Sequence, residues 1–147
     1  MDKLKFQKMN HTFAWGEQAV LAEIVINGKP FAEIVEHYGQ SAAEKKEYEF
    51  KDCYIYNYAE VLYEELINKK SEASDNEPAL MICSCSCEGC GAILVTIVET
   101  ETEVIWRGFR DHQMKKLDYS VFPMFKFEKS AYQAALEQLR MLQKNTL

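Results

Sequence analysis

The sequence lacks an excess of positive charge. Its 17 Lys and Arg residues are outnumbered by 23 Asp and Glu, and the net charge is −6 at pH 7. The basic residues are scattered along the chain, whereas binding to nucleic acid depends on clustered Lys and Arg that neutralise phosphates. We therefore expect no nucleic-acid partner.

The sequence also lacks the apolar runs that mark membrane and exported proteins. No stretch approaches 18 uninterrupted apolar residues, so we expect no membrane span. The first residues carry lysines but not the apolar centre of a secretory signal. We therefore expect the protein in the cytoplasm, where thiols stay reduced and disulfides are disfavoured.

Familiar catalytic motifs are missing as well. The chain has no glycine-rich phosphate loop, no H-E-x-x-H and no G-x-S-x-G. Together with the acidic charge, this favours a non-catalytic binding or interaction protein. A protein partner, such as a toxin or a regulator, is the corresponding hypothesis.

What the chain does contain is enough apolar sequence for one core. At 147 residues, with 48% hydrophobic and 27% charged residues, it has the size and composition of one globular domain. We expect a single domain spanning residues 1–147. Residues 70–78 contain one apolar residue in nine, which predicts a mobile loop within that domain.

The spacing of apolar residues predicts both strands and helices. Residues 19–26 alternate as a strand does, and helical spacing follows Pro30. Asn27-Gly28 leaves open a hairpin leading to a strand through Phe31 instead. A second helix is predicted from Tyr56 to Lys69.

The second half of the chain predicts a meander of three strands near residues 80–83, 92–98 and 103–109. Gly108 is expected at a bulge or a close approach. Residues 125–127 then lead to a final helix, with Ser130 and Gln133 in a capping box. The fold class is α+β: an antiparallel sheet around the cysteine cluster, with two or three covering helices.

Four of the five cysteines lie within eight residues, and they are the densest chemical signal in the chain. Residues 87–91 have the C-x-x-C-G form of a zinc knuckle, in which glycine lets backbone amides turn toward sulfur. A structural zinc site needs four ligands with Zn–S distances near 2.3 Å. The predicted zinc ligands are therefore Cys83, Cys85, Cys87 and Cys90.

The spacing of the first two ligands is the difficulty with this hypothesis. Residues two apart on a strand share a face but stand well separated, so Cys83 and Cys85 can both bind only if the backbone leaves regular extension. Otherwise the set must be completed by a more distant residue. The candidates are Cys53, His11, His37 and His112.

Two other interpretations of the cluster stay open. Free cysteines are often buried, so Cys87 could face Cys90 across a turn at Glu88-Gly89, or across a longer, irregular one, while the remaining thiols fill gaps in the strand pair. Alternatively, Cys87 and Cys90 could form a thiol–disulfide oxidoreductase site, because their spacing suits a redox dithiol. No cation or helix N-terminus is predicted beside them to lower their pKa.

The ordered motifs resemble those of a group of small bacterial cytosolic proteins. These share a cysteine–glycine turn, a V-x-W-x-x-F strand and a final amphipathic helix, here represented by residues 83–92, 104–109 and 125–136. The resemblance covers roughly residues 19–142. It brings no activity and no functional residue to this chain, and the extra Cys87 departs from the group's pattern.

Overall fold

The computed structural model describes residues 1–39, 53–112 and 122–144, and it has an α+β fold. Its strands are β1 (Leu4–Thr12), β2 (Gln18–Ile26), β3 (Lys29–Pro30), β4 (Tyr54–Tyr56), β5 (Ala79–Cys83), β6 (Ala92–Glu99), β7 (Glu103–His112) and β8 (Phe125–Glu128). The helices in these ranges are α1 (Phe31–Gly39), α2 (Ala59–Asn68) and α3 (Lys129–Lys144). The predicted fold class is confirmed.

The strands form two antiparallel sheets rather than the one predicted. The smaller has the order β1-β2-β3 and the larger the order β4-β5-β6-β7-β8. The helix predicted after Pro30 is present as α1, which begins at Phe31, so the alternative strand through Phe31 is wrong; the Asn27-Gly28 turn nevertheless closes a short hairpin into the two-residue β3. Asn27 and Gly28 have φ angles of 53° and 81°, the positive values that a tight two-residue hairpin turn requires.

Asn57, which is fully buried, joins the two sheets. Its carbonyl accepts a hydrogen bond from Ala22 N at 3.0 Å in the smaller sheet. Its side-chain amide donates to the Ala79 carbonyl at 2.9 Å in the larger sheet. Because an unpaired buried amide is costly, this double pairing fixes the sheets relative to each other.

The second predicted helix begins later than its periodicity indicates. Tyr56 pairs with Met81 as the last residue of β4, and α2 begins only at Ala59. Lys69 follows the helix in the left-handed conformation, with φ 55° and ψ 42°. The residue expected to begin this helix therefore ends a strand instead, because it pairs with β5.

The main core lies between the sheets and the helices. Trp106 of β7 is fully buried, donates from Nε1 to the Tyr132 hydroxyl at 3.2 Å, and packs edge-on against Phe127 at a centroid distance of 5.3 Å. α3 contributes Tyr132, Ala135 and Leu139, as its spacing predicts. Ser130, however, donates to Glu128 rather than forming the predicted cap with Gln133, and the helix begins at Lys129.

The predicted meander is present as β5, β6 and β7. Gly108 lies at a register shift between β6 and β7 with φ +63°, and an added Cβ would stand 3.2 Å from Thr96 Oγ1. The bulge is therefore confirmed. Residues 70–78 contain no helix or strand, and their Ala73 packs on a small apolar cluster outside the main core; their mobility stays a prediction. None of the helices in the described ranges is both long and apolar enough to cross a bilayer.

Candidate functional site

The four clustered cysteines lie in the connection between β5 and β6, which we call the cysteine turn (residues 83–91). Its base is closed by a hydrogen bond from Cys83 N to the Gly91 carbonyl at 2.9 Å, and Ser86 N donates to the Cys83 carbonyl at 2.8 Å. Ser86 has a φ of 68°. The connection is therefore the longer, irregular turn that was expected, and not a two-residue hairpin at Glu88-Gly89.

The backbone leaves extension directly after Cys83, which removes the geometric objection to paired thiols. Cys83 is the last residue of β5, and Cys85 already stands in the turn. Their Sγ atoms are 3.0 Å apart, and Cys85 N approaches Cys83 Sγ at 3.5 Å. The Cys90 thiol also interacts with the side chains of Cys87 and Cys85. All four thiols thus belong to one contact network.

The thiols are not core residues. Cys85, Cys87 and Cys90 are exposed, and Cys83 is only half-buried. The interpretation that the thiols other than Cys87 and Cys90 fill gaps in the strand pair is therefore wrong for the exposed Cys85. Exposed clustered thiols are unusual in a folded protein, where free cysteine is among the most often buried residues.

Mutual hydrogen bonding separates the acidities of the thiols. The contact with Cys83, followed by that with Cys90, lowers the pKa of Cys85. Burial, together with the contact to Cys85, raises the pKa of Cys83. Hydrogen bonds with Cys87 and Cys85 raise the pKa of Cys90 to about 12. Cys85 is therefore the favoured thiolate, the form that attacks electrophiles and binds soft metals.

A buried carboxylate holds the turn against the rest of the fold. Glu88 is 7% exposed, although it stands between exposed thiols. Its Oε1 accepts from Glu72 N at 3.2 Å, and its side chain hydrogen-bonds with that of Glu65 on α2. Glu65 in turn accepts from Ala79 N at 2.9 Å. Burial, followed by the bond to Glu88, raises the pKa of Glu65 to about 9, so Glu65 carries the shared proton near neutrality.

The sequence pattern does not point to Glu65, because it is one of several glutamates along α2 and Glu60 and Glu64 on the same helix are exposed. A charged residue next to buried Leu62 and Leu66 was the available signal, and it was too weak to use.

A second buried carboxylate was missed beside β4. Tyr54 pairs in register with Cys83 and donates its hydroxyl to Asp111 on β7. Burial raises the pKa of Asp111 to about 6, and its Oδ2 has no hydrogen-bond partner among the described residues. Asp111 is thus buried within β7, and no motif in the sequence points to it.

The more distant candidate ligands are placed as follows. Cys53 precedes β4, and its carbonyl accepts from Ser84 N at 2.9 Å. His112 ends β7 and pairs with Ala92 at the start of β6. His11 stands on β1 against Phe13, and His37 stands on α1 against Tyr38.

The donor atoms suit zinc better than their present spacing does. Four thiols supply the number and type of ligand found in structural zinc sites. With Zn–S bonds of 2.3 Å, tetrahedral sulfurs stand about 3.8 Å apart, which is wider than the 3.0 Å between Cys83 and Cys85. In the described parts of the chain, no three His, Cys, Asp or Glu side chains are already arranged to hold a metal. Metal binding therefore requires the exposed sulfurs to spread.

Comparison with known proteins adds no function to this geometry: no family model, no curated protein and no solved structure matches the chain.

Proposed function

We propose that the protein is a non-catalytic cytoplasmic binding module whose cysteine turn holds one zinc ion through Cys83, Cys85, Cys87 and Cys90. The observation that carries the proposal is the contact network of the four thiols. Cys85 touches Cys83 and Cys90, and Cys90 also touches Cys87. Exposed sulfurs can move apart to a metal's preferred distances at less cost than sulfurs packed in a core.

The fixed backbone around the sulfurs also supports this function. Glu88 is anchored to α2 and to residues 70–78, and the ends of the turn are bonded to each other. A turn whose backbone is already ordered loses less conformational entropy on binding a metal than a flexible one does. The zinc would supply cross-linking of the turn, and no chemical step is assigned to it.

Elemental analysis of protein purified without added metal or chelator tests the proposal. We expect about one zinc per chain, released by a thiol-modifying reagent. Replacing all four turn cysteines by serine should abolish zinc binding, and Cys53→Ser, the matched control outside the turn, should retain it. A metal-free wild type would contradict the proposal, as would loss of zinc in the Cys53→Ser protein.

The contact between Cys83 and Cys85 also favours a second candidate, a thiol–disulfide oxidoreductase. Such a site was predicted at Cys87 and Cys90, but the lowered pKa belongs to Cys85 and the shortest sulfur contact is Cys83–Cys85. A redox site predicts reversible loss of two thiols and turnover with disulfide substrates. If replacing the turn cysteines by serine abolishes such turnover and leaves the melting temperature unchanged, the oxidoreductase proposal replaces the zinc proposal.

A protein partner is part of the same proposal, and Trp15 supports it. Trp15 is 56% exposed between β1 and β2 and stacks on Phe13 at a centroid distance of 4.5 Å. Tryptophan is enriched among residues that dominate binding energy at interfaces. We expect Trp15→Ala to lose a partner captured from native cells, and Met141→Ala, at another exposed apolar side chain, to keep it. Failure of the wild type to capture any partner would contradict this part of the proposal.

A further inference from the structure

A cleft of about 320 Å³ opens where the smaller sheet, α1 and the start of the larger sheet meet. Its apolar walls come from Met9 and Leu21 on the smaller sheet and from Tyr54, Tyr56 and Met81 on the larger one. This volume lies at the lower end of the range for small-molecule sites, which are mostly apolar with a few placed polar groups. The cleft therefore has the size and lining for a small ligand with a hydrocarbon body.

Negative charge is concentrated on one side of the cleft. Glu33 and Glu36 line it from consecutive turns of α1, and the imidazole of His11 lines it from β1. Within the described chain, neither carboxylate has a hydrogen bond or an ion pair, whereas Glu77 and Glu99 elsewhere are paired with basic side chains. An acidic edge with low-dielectric walls concentrates cations.

The two tyrosines give the cleft an uncharged wall. Tyr56 accepts a hydrogen bond from Ala32 N at 2.9 Å, and burial, followed by the nearby Glu23 and Glu33, raises its pKa. Its ring therefore stays a neutral phenol. Tyr54 donates its own hydroxyl proton to Asp111, which makes its ring more electron-rich. Both rings are almost fully buried and offer the cleft an uncharged aromatic wall for a hydrocarbon chain.

We infer that this cleft binds a small linear aliphatic amine, with its ammonium group at Glu33 and Glu36 and its hydrocarbon chain against Met9, Leu21 and the tyrosine rings. The inference commits to a free amine in solution. The protein's net charge of −6 also favours a positively charged ligand. The inference does not depend on whether the cysteine turn binds a metal.

Hexylammonium is the probe, with hexanol and hexanoate as neutral and anionic probes of the same chain length. We expect calorimetry at neutral pH to give a Kd in the millimolar range for the amine. Hexanol should bind about tenfold more weakly, and hexanoate more weakly still, because neither gains from the carboxylates. Amide chemical shifts should change at the cleft residues and leave the cysteine turn unaffected.

Variants assign the binding to the cleft. Glu33→Gln with Glu36→Gln should weaken hexylammonium binding about tenfold and leave hexanol unchanged. Glu60→Gln with Glu64→Gln, a matched loss of two exposed charges on α2, should change neither. Ala32→Leu should fill the cleft and abolish both, with circular dichroism used to verify that it folds.

Three outcomes would overturn the inference. The first is no hexylammonium binding up to about 10 mM. The second is equal binding of amine and alcohol, or an unchanged affinity after the Glu33 and Glu36 substitutions. The third is that a peptide with blocked termini and one lysine binds more tightly than hexylammonium. The occupant would then be a protein side chain and not a free amine.

Discussion

Replacing Glu65 by glutamine should remove a specific pH dependence from the protein's stability. Glu65 is 8% exposed, accepts from Ala79 N at 2.9 Å, and shares a side-chain hydrogen bond with Glu88. The other titratable group that raises its pKa is Glu72. Glutamine retains an acceptor for Ala79 N and has an N–H donor for Glu88 at every pH. The substitution therefore preserves the contacts and removes only the titration.

The sign follows from where the proton is held. Glu65 titrates near 4.5 in the unfolded chain, whereas burial and the Glu88 contact raise its folded pKa to about 9. Between these values the folded protein keeps a proton that the unfolded chain has released. The stabilisation is complete below about pH 4.5 and is lost as pH rises toward 9. One proton corresponds to at most about 1.4 kcal/mol per pH unit, or about 3 kcal/mol between pH 6.5 and 8.5.

Urea unfolding across that range measures the effect. We expect the wild-type free energy of unfolding to fall with rising pH more steeply than that of Glu65→Gln, because thiol and histidine titrations are common to both. Glu64→Gln, at an exposed neighbour on the same helix, should keep the wild-type slope. Equal slopes for wild type and Glu65→Gln would refute a proton shared between Glu65 and Glu88.

Three further substitutions test the packing around the site, each by denaturant unfolding. Gly108→Ala should destabilise by about 1–3 kcal/mol, because alanine is strained at φ +63°; an unchanged midpoint would contradict the bulge. Tyr132→Phe should cost about 1–3 kcal/mol by leaving the buried Trp106 N–H without its acceptor. Asp111 has a pKa raised from 3.8 to about 6, so wild-type stability should fall as pH rises between these values. Asp111→Asn should flatten that fall while still accepting from Tyr54.

Local periodicity was sufficient for the elements whose burial is one-sided. The alternation in residues 19–26 matches β2, and the apolar spacing of α3 matches its buried face. It failed where a partner distant in sequence decides the structure. Tyr56 has helical neighbours in sequence but pairs with Met81, and the two sheets are joined through Asn57, whose contacts no local pattern reports.

The candidate site likewise has one part that local sequence reveals and another that depends on contacts between distant residues. The cysteine cluster is visible in the sequence because its members are adjacent. The carboxyl pair behind it joins α2 to the turn across more than twenty residues, and the cleft joins β1, α1 and β4. A buried glutamate is indistinguishable in sequence from a solvated one until its neighbours are placed.

The cysteine turn owes its shape to groups other than sulfur. Cys83 N bonds to Gly91, Ser84 N bonds to Cys53, and Glu88 is held by Glu65. Removing a metal from such a turn should therefore release the sulfurs without unfolding the sheets. Chelation should leave the far-ultraviolet circular dichroism unchanged. It should lower the melting temperature only to the extent that the lost free energy of metal binding accounts for. Global unfolding on chelation would mean instead that the sulfurs carry the architecture and that the backbone bonds are their consequence.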